Sequence, residues 1–142
     1  MRHDAGGMFK VTKHIEFCYG HRLLNYTGAC RHLHGHNGRV EVDIESESLD
    51  ARGMVRDFSE IKASLKGWID ANLDHRMLLR RDDPLLPQLR KTGEQFFEMT
   101  ENPTAENIAK LIYTHARSQG LPVVEVRLWE TPSSYASYRE QK

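Results

Sequence analysis

Strict alternation from Arg39 to Glu47 constrains this chain more than any other feature. Val40, Val42 and Ile44 fall on one face, and Arg39, Glu41, Asp43 and Glu45 on the other, the period-two pattern of a half-buried strand. Such a strand needs a neighbour for its backbone hydrogen bonds and a layer to cover its apolar face. Traced backwards, the same phase puts Gly38, His36 and His34 on the apolar side. A partner lies upstream. Phe9, Val11, Ile15 and Phe17 share a face, with Lys13 the exception, against Lys10, Thr12, His14 and Glu16. That phase continues through Tyr19 to His21, with Gly20 as the one place where a bulge can shift it. Two strand ends therefore deliver His21, His34 and His36 to the core side of one sheet. Neutral imidazole is the commonest metal ligand. A catalytic zinc site takes three protein ligands and leaves a position open, so we expect one zinc ion on these three histidines.

The remaining pattern supplies the covering layer. Asp57 caps a helix with Glu60 three residues on, and Phe58, Ile61, Leu65, Trp68, Ile69 and Leu73 recur at helical spacing, Phe58 and Trp68 being read as core. Lys62, Lys66 and Asp70 take its other side, and the helix ends near Asn72. Arg76 to Pro87 reads as irregular. Gln95 to Met99 is open to a short strand, and Leu85 to Leu89 to a pocket rim. Asn102-Pro103-Thr104 opens a second helix, with Ala105, Ile108, Ala109, Ile112 and Ala116 as its stripe and Gly120 at its end. Val123 to Thr131 is a strand whose inner phase, Val124, Val126 and Leu128, reaches Glu130, and Tyr135 to Arg139 is a final strand. The expected fold is a single α+β domain over residues 1–142: a four-stranded antiparallel sheet with two helices on one face, in the order ββααββ. Residues 1–7 are expected to be a loose tail, and patterned sequence begins at Met8.

Lys+Arg and Asp+Glu balance at 20 each, without the basic field of a nucleic-acid binder. No apolar run is long enough for a bilayer, and no signal-peptide pattern is present, so we expect a cytoplasmic protein with no membrane or nucleic-acid partner. In a reducing compartment Cys18 and Cys30 are expected as free thiols. Cys30, beside Arg31, His32 and His34, reads as a thiol base, as a fourth ligand closing a structural metal site, or as an ordinary loop cysteine. Cys18, mid-strand and without a charged cluster, reads as a packing residue. Asp74-His75 is either a carboxylate orienting an imidazole or a helix C-terminal cation. Glu130 is either a bidentate acceptor for a donor–donor ligand edge or a strand-end residue facing water. Thr104 and Glu106 suit a helix N-terminus.

Phe17-x-x-x-His21-Arg-Leu, Cys30-x-x-x-His34-Gly-His36-Asn, Gly53-Met-Val-x-Asp57-Phe, Leu73-Asp74-His75, Pro103-Thr-x-Glu106-Asn and Glu130-Thr131 together resemble the 6-pyruvoyl- and 6-carboxytetrahydropterin synthases, enzymes of the tunnelling fold or T-fold. The resemblance implies that His21, His34 and His36 bind zinc. It implies that Cys30 transfers protons with Asp74 and His75 as partners across the site. It also implies that Glu130 anchors a pterin, with Thr104 and Glu106 nearby. It implies homohexamers, dimers of trimers whose sheets join into a barrel, with active sites between subunits. Three residues between cysteine and histidine resemble the bacterial carboxy-forming enzyme. The implied reaction converts 7,8-dihydroneopterin triphosphate to 6-carboxy-5,6,7,8-tetrahydropterin, releasing acetaldehyde and triphosphate, on the route to queuosine and other deazapurines. The alternatives are the pyruvoyl-forming synthase and a non-catalytic pterin- or zinc-binding module. Cys18, Tyr19 and Gly20 depart from the small residues the family places before the first histidine, and His32 stands as a competing ligand. Arg22, Arg31, Arg80 and Arg81 are candidate cations for the triphosphate.

Overall fold

In the computed structural model, which describes residues 6–141, the two histidine-bearing segments form one long antiparallel pair. Strand β1 (Phe9–His21) runs against β2 (His34–Ser46) from Phe9 opposite Ser46 to His21 opposite His34, with no slip at Gly20. Directly opposed residues share a face. Ile15, Phe17 and Tyr19 therefore join Val40, Val42 and Ile44 in the core, all of them buried.

Helix α1 (Phe58–Asn72) covers this face with Ile61, Leu65 and Ile69, and α3 (Ala105–Ser118) with Ile108, Ala109, Ile112, Tyr113 and Ala116. Fully burying each Leu or Ile is worth ~1.5–3 kcal/mol, so this layer is what holds the sheet. Asp57 caps α1, accepting the Ser59 N–H at 2.8 Å. Glu60 does not complete a capping box; it meets Arg56 at 3.5 Å instead. Thr104 caps α3 by accepting the Asn107 N–H at 3.1 Å. Gly120 follows that helix at φ 82, a left-handed conformation that favours glycine. Phe58, expected in the core, is 50% exposed, because α1 begins with it beyond the edge of the buried stripe.

The expected four-stranded antiparallel sheet is corrected to six strands of mixed direction, and the two helices to three. Arg76–Arg80, read as irregular, is strand β3, parallel to β1, and Phe96–Met99 is strand β4, parallel to β3. A short helix α2 (Leu86–Thr92) joins them. β3 escapes the pattern because Leu78 and Leu79 are both fully buried, and a strand covered on both faces shows no alternation. Strands β5 (Glu125–Thr131) and β6 (Ser134–Tyr138) complete the sheet in the order β4-β3-β1-β2-β5-β6. The α+β class stands. Gly6 and Gly7 have no regular structure; the rest of the expected tail lies outside the described residues.

The other face of β2 is also covered. Glu41 and Asp43 point away from the helices, as their phase requires, yet are only 9% and 2% exposed. Arg127 of β5 lies over them. It donates to both oxygens of Asp43 at 2.7 and 2.8 Å and to Glu41 at 3.1 Å, and it also meets Glu125. Burial would raise both carboxyls. The donors from Arg127, with Thr12 for Asp43 and Trp129 for Glu41, outweigh it and hold them below the ordinary range.

Candidate active site

His21 opposes His34 at the end of the β1–β2 ladder, and Tyr19 opposes His36 two pairs further in, on the same face. The three imidazoles therefore stand together on the core-side face, their candidate ligand atoms all within 4.8 Å of one another. His21 is 2% exposed. Its Nδ1 lies 2.7 Å from the Pro103 carbonyl, which can only accept, so Nδ1 carries the proton and Nε2 is left with a lone pair. His34 repeats this arrangement, its Nδ1 donating to the His32 carbonyl at 2.7 Å. Fixing the second ring nitrogen in this way sets tautomer and ring orientation for a ligand.

Burial, the largest influence, pushes His21 down to about 4, with the neighbouring imidazoles adding to it and the Pro103 contact opposing it. The ring is neutral at physiological pH, the form that binds metal. His21 Nε2 and His36 Nε2 are 3.1 Å apart. Two nitrogens bound tetrahedrally to one zinc at ~2.0–2.1 Å would lie ~3.3 Å apart. Donor type, tautomer and spacing all fit a three-histidine zinc ion.

Glu130 joins this group from β5. Its inner phase continues Val126 and Leu128, and its Oε2 lies 3.4 Å from His36 Nε2. The β5–β6 ladder shifts register between Trp129 and Thr131, and such an irregularity re-aims a side chain. Tyr19 fills the space between. Its ring is 5.2 Å from that of His21 and 5.6 Å from that of His36. A Cβ at Gly38 would come within 2.9 Å of this ring, so the glycine makes the room. The Tyr19 hydroxyl is buried without a partner, and burial together with the Glu130 charge holds its proton on.

The opposite face of the same strand ends carries a second group. Asp74 and His75 leave α1 at the point where β3 begins. Their backbone is fastened to β1 by the His75 N–H donating to the Cys18 carbonyl at 2.7 Å. Asp74 Oδ1 accepts the Cys18 N–H at 2.9 Å, and its Oδ2 accepts the His75 Nδ1–H at 2.8 Å. Burial alone would raise the Asp74 carboxyl, but these two donors outweigh it and hold the group below the ordinary range. A cavity of ≈ 720 Å³ opens here, lined among others by Cys18, His75, Met77, Leu89, His34 and His36.

Each expected site residue thus has a definite place. His21, His34, His36 and Glu130 come together. Asp74 and His75 come together, with Cys18 rather than Cys30. Cys30 sits in a 3-10 turn, Ala29–Arg31, and does not line the cavity. Thr104 caps α3, and Glu106 is exposed in its first turn. His32 takes part through its carbonyl while its ring is exposed. Arg22 and Arg80 are paired with Asp83 and Asp82, which leaves Arg31 and Arg81 of the four cations considered for a triphosphate. Sequence reading put Asn102 and Pro103 at a helix start but missed their contacts with the site and with the loop after β1. The Asn102 side chain clamps both backbone groups of Leu24 at 2.8 and 2.9 Å and so ties the loop after β1 to the start of α3. No periodicity marks such contacts.

Comparison with known proteins places the whole chain in one family. The family described as 6-pyruvoyl tetrahydropterin synthase matches residues 10–141. A 6-carboxy-5,6,7,8-tetrahydropterin synthase of Rickettsia conorii is 39% identical over 139 residues, covering 90% of this chain and 98% of that protein. One from Aquifex aeolicus is 33% identical over 161 residues, covering 94% and 99%. Among solved structures, a Wolinella succinogenes protein superposes with a TM-score of 0.79 at 32% identity, covering 94% of this chain and 99% of its own. The 6-pyruvoyl tetrahydropterin synthase of Caenorhabditis elegans superposes at 0.71 with 22% identity, covering 95% and 97%, a likeness of fold.

Proposed function

Since the chain belongs to the 6-pyruvoyl tetrahydropterin synthase family, we propose that it converts 7,8-dihydroneopterin triphosphate to 6-carboxy-5,6,7,8-tetrahydropterin, releasing acetaldehyde and triphosphate. It is a pterin lyase with the T-fold of its relatives. The carboxy-forming reaction is favoured because the named relatives at 32–39% identity carry that activity in their names, whereas the pyruvoyl-forming structural neighbour stands at 22%.

The observation that carries this reading is the convergence of His21, His34 and His36 beside Glu130 at one sheet mouth. The three histidines hold zinc, whose Lewis acidity makes protons on and beside the substrate's side-chain hydroxyls easier to remove. Glu130 accepts two hydrogen bonds from the amino and ring N–H edge of the pterin. Thr104 and Glu106 lie at the adjoining helix start, the helix whose preceding carbonyl orients His21. Asp74 keeps the His75 imidazole in the tautomer that leaves Nε2 free to exchange a proton. Cys30 is the thiol that works with this pair. One chain keeps them apart, so the pairing is made between subunits of a homohexamer. The product enters queuosine and related deazapurine synthesis in the cytoplasm.

The test is mass analysis of products after incubating zinc-loaded protein with dihydroneopterin triphosphate. Acetaldehyde and a carboxy-pterin are expected, and Cys30→Ala keeps its zinc while losing turnover. A pyruvoyl product would instead identify the triphosphate-eliminating synthase. Absence of turnover in wild type and Cys30→Ala alike would leave only a binding module.

A further inference from the structure

The proposed chemistry leaves Tyr19 without a role. Tyr19 is 3% exposed, and its hydroxyl is buried with no hydrogen-bond partner among the described residues. Burying a hydroxyl in this way is costly unless the group gains a partner in a functional state. Packing alone does not explain it. Phe17, two residues earlier on the same face, is equally buried with a bare ring, and it stacks on Tyr19 at 5.1 Å between ring centroids. A phenylalanine at position 19 would pack in the same way and bury no polar atom.

The strands carry this ring towards Glu130. From β1 it crosses Gly38 of β2, where one of its edge carbons would stand 2.9 Å from an added Cβ and Leu128 of β5 3.4 Å from the same point. Glu130 follows Leu128 on that inner face, just beyond the last β2–β5 pair, Arg39 opposite Trp129. Its Oε2 reaches His36 Nε2 at 3.4 Å, and the His36 ring is 5.6 Å from that of Tyr19. The hydroxyl is close enough to the Glu130 carboxylate for that charge to act on it. A phenol keeps its proton at neutral pH, so a neutral donor stands beside a two-oxygen acceptor.

Together the two groups read three neighbouring positions on one ring edge. Glu130 accepts from two adjacent N–H groups, and Tyr19 donates to an acceptor next to them. In a 2-amino-4-oxopteridine the 2-amino group and N3–H are the two donors, and the 4-oxo oxygen adjoins N3. We infer that Tyr19 is a specificity-determining residue whose hydroxyl donates to the 4-oxo group of the ring held by Glu130, and so favours 4-oxo over 4-amino pteridines. A 4-amino nitrogen is conjugated with the ring and offers no lone pair to that proton. The inference rests on the pterin reading for the ring and adds the residue that reads its third position.

The test is fluorescence titration of the full-length, zinc-loaded protein and of its Tyr19→Phe variant with two ligands, pterin and 2,4-diaminopteridine. Phenylalanine keeps the ring and its stacking, and unchanged zinc content and circular dichroism verify that the site is intact. Pterin binding should weaken about 3- to 10-fold in Tyr19→Phe, the worth of one neutral hydrogen bond, while binding of the diamino ring shifts by less than about 2-fold. The preference for the 4-oxo ring then falls by nearly the factor lost for pterin. Unchanged pterin affinity in Tyr19→Phe, or an equal loss for both rings, overturns the inference, because a packing role leaves the preference intact. A wild type that binds no pterin overturns the pterin reading with it, whereas a wild type that binds pterin and a variant that binds it equally well overturn this inference alone.

Discussion

At the scale of single residues, two carbonyls decide which nitrogens face the candidate metal. Pro103 and His32 accept from Nδ1 of His21 and His34, and that leaves both Nε2 atoms as donors to an ion. Replacing His21 by Ala removes one of three ligands from a buried position. Elemental analysis should find zinc falling from about one ion per chain to a small fraction of that, with the circular dichroism spectrum retained. Full occupancy in the variant would rule out this ligand set. Glu130 acts on the other partner. Glu130→Gln keeps the shape and removes the charge, so the loss is that of a charge-assisted hydrogen bond, ~1.5–3 kcal/mol. Pterin binding, read by fluorescence titration, should weaken by about 10- to 100-fold while zinc content stays unchanged. The two substitutions thus separate metal binding from ring binding.

At the scale of elements, β2 is held from both sides by different physics. Its core face packs apolar side chains under α1 and α3. Its outer face holds Glu41 and Asp43 under one guanidinium from β5. Arg127→Ala would leave two mostly buried carboxylates without the cation they share, keeping the donors from Thr12 and Trp129, and breaking such a pair costs about 3–5 kcal/mol. The denaturant midpoint should drop accordingly, whereas Lys66→Ala, which loosens only the exposed Lys66–Asp70 pair, should shift it by less than about 1 kcal/mol. Equal effects would show that the buried network carries no special weight. The start of α1 is held more lightly: losing the Asp57 cap in Asp57→Ala should cost about 1 kcal/mol in the same titration.

At the scale of the whole molecule, the carboxylate network sets an acid limit. Glu41, Asp43, Asp74 and Asp83 are all held below their ordinary range, Asp83 chiefly by the hydrogen bonds from Arg22. A depressed folded value means the unfolded chain binds protons first as pH falls. Stability from these groups is therefore complete above about pH 5 and is lost progressively below about pH 4. Thermal unfolding followed from pH 7 to pH 3 should show a plateau and then a steep fall, and Arg127→Ala should flatten that fall by removing the partner of two of the four. Among the described residues the sheet also ends in two unpaired edges, β4 and β6. Exposed edges invite pairing with further strands, and closure with neighbouring copies into a barrel removes them. Sedimentation should find six copies; a monomer at micromolar concentration would contradict the proposed assembly between subunits.

Period-two and helical patterning, read from the sequence by itself, determined that β1 and β2 exist, which of their faces is inward, and that His21, His34, His36 and Glu130 share it. Side-chain phase is a local property, carried by neighbours two residues apart. Tertiary structure alone decided the rest. β3 showed no alternation because both of its faces are buried, and α2 is too short for its pattern to stand out. Pairing of β3 beside β1 brings Asp74 and His75 to Cys18, 56 and 57 positions away in the chain. No local signal encodes that distance, because strand neighbours are chosen by packing across the whole sheet. Two positions changed meaning for the same reason. His32, a competing imidazole by composition, acts through its carbonyl. Cys18, read as a packing residue because no charged cluster adjoins it in sequence, faces the outer side, as its phase requires, where the turn after α1 meets it.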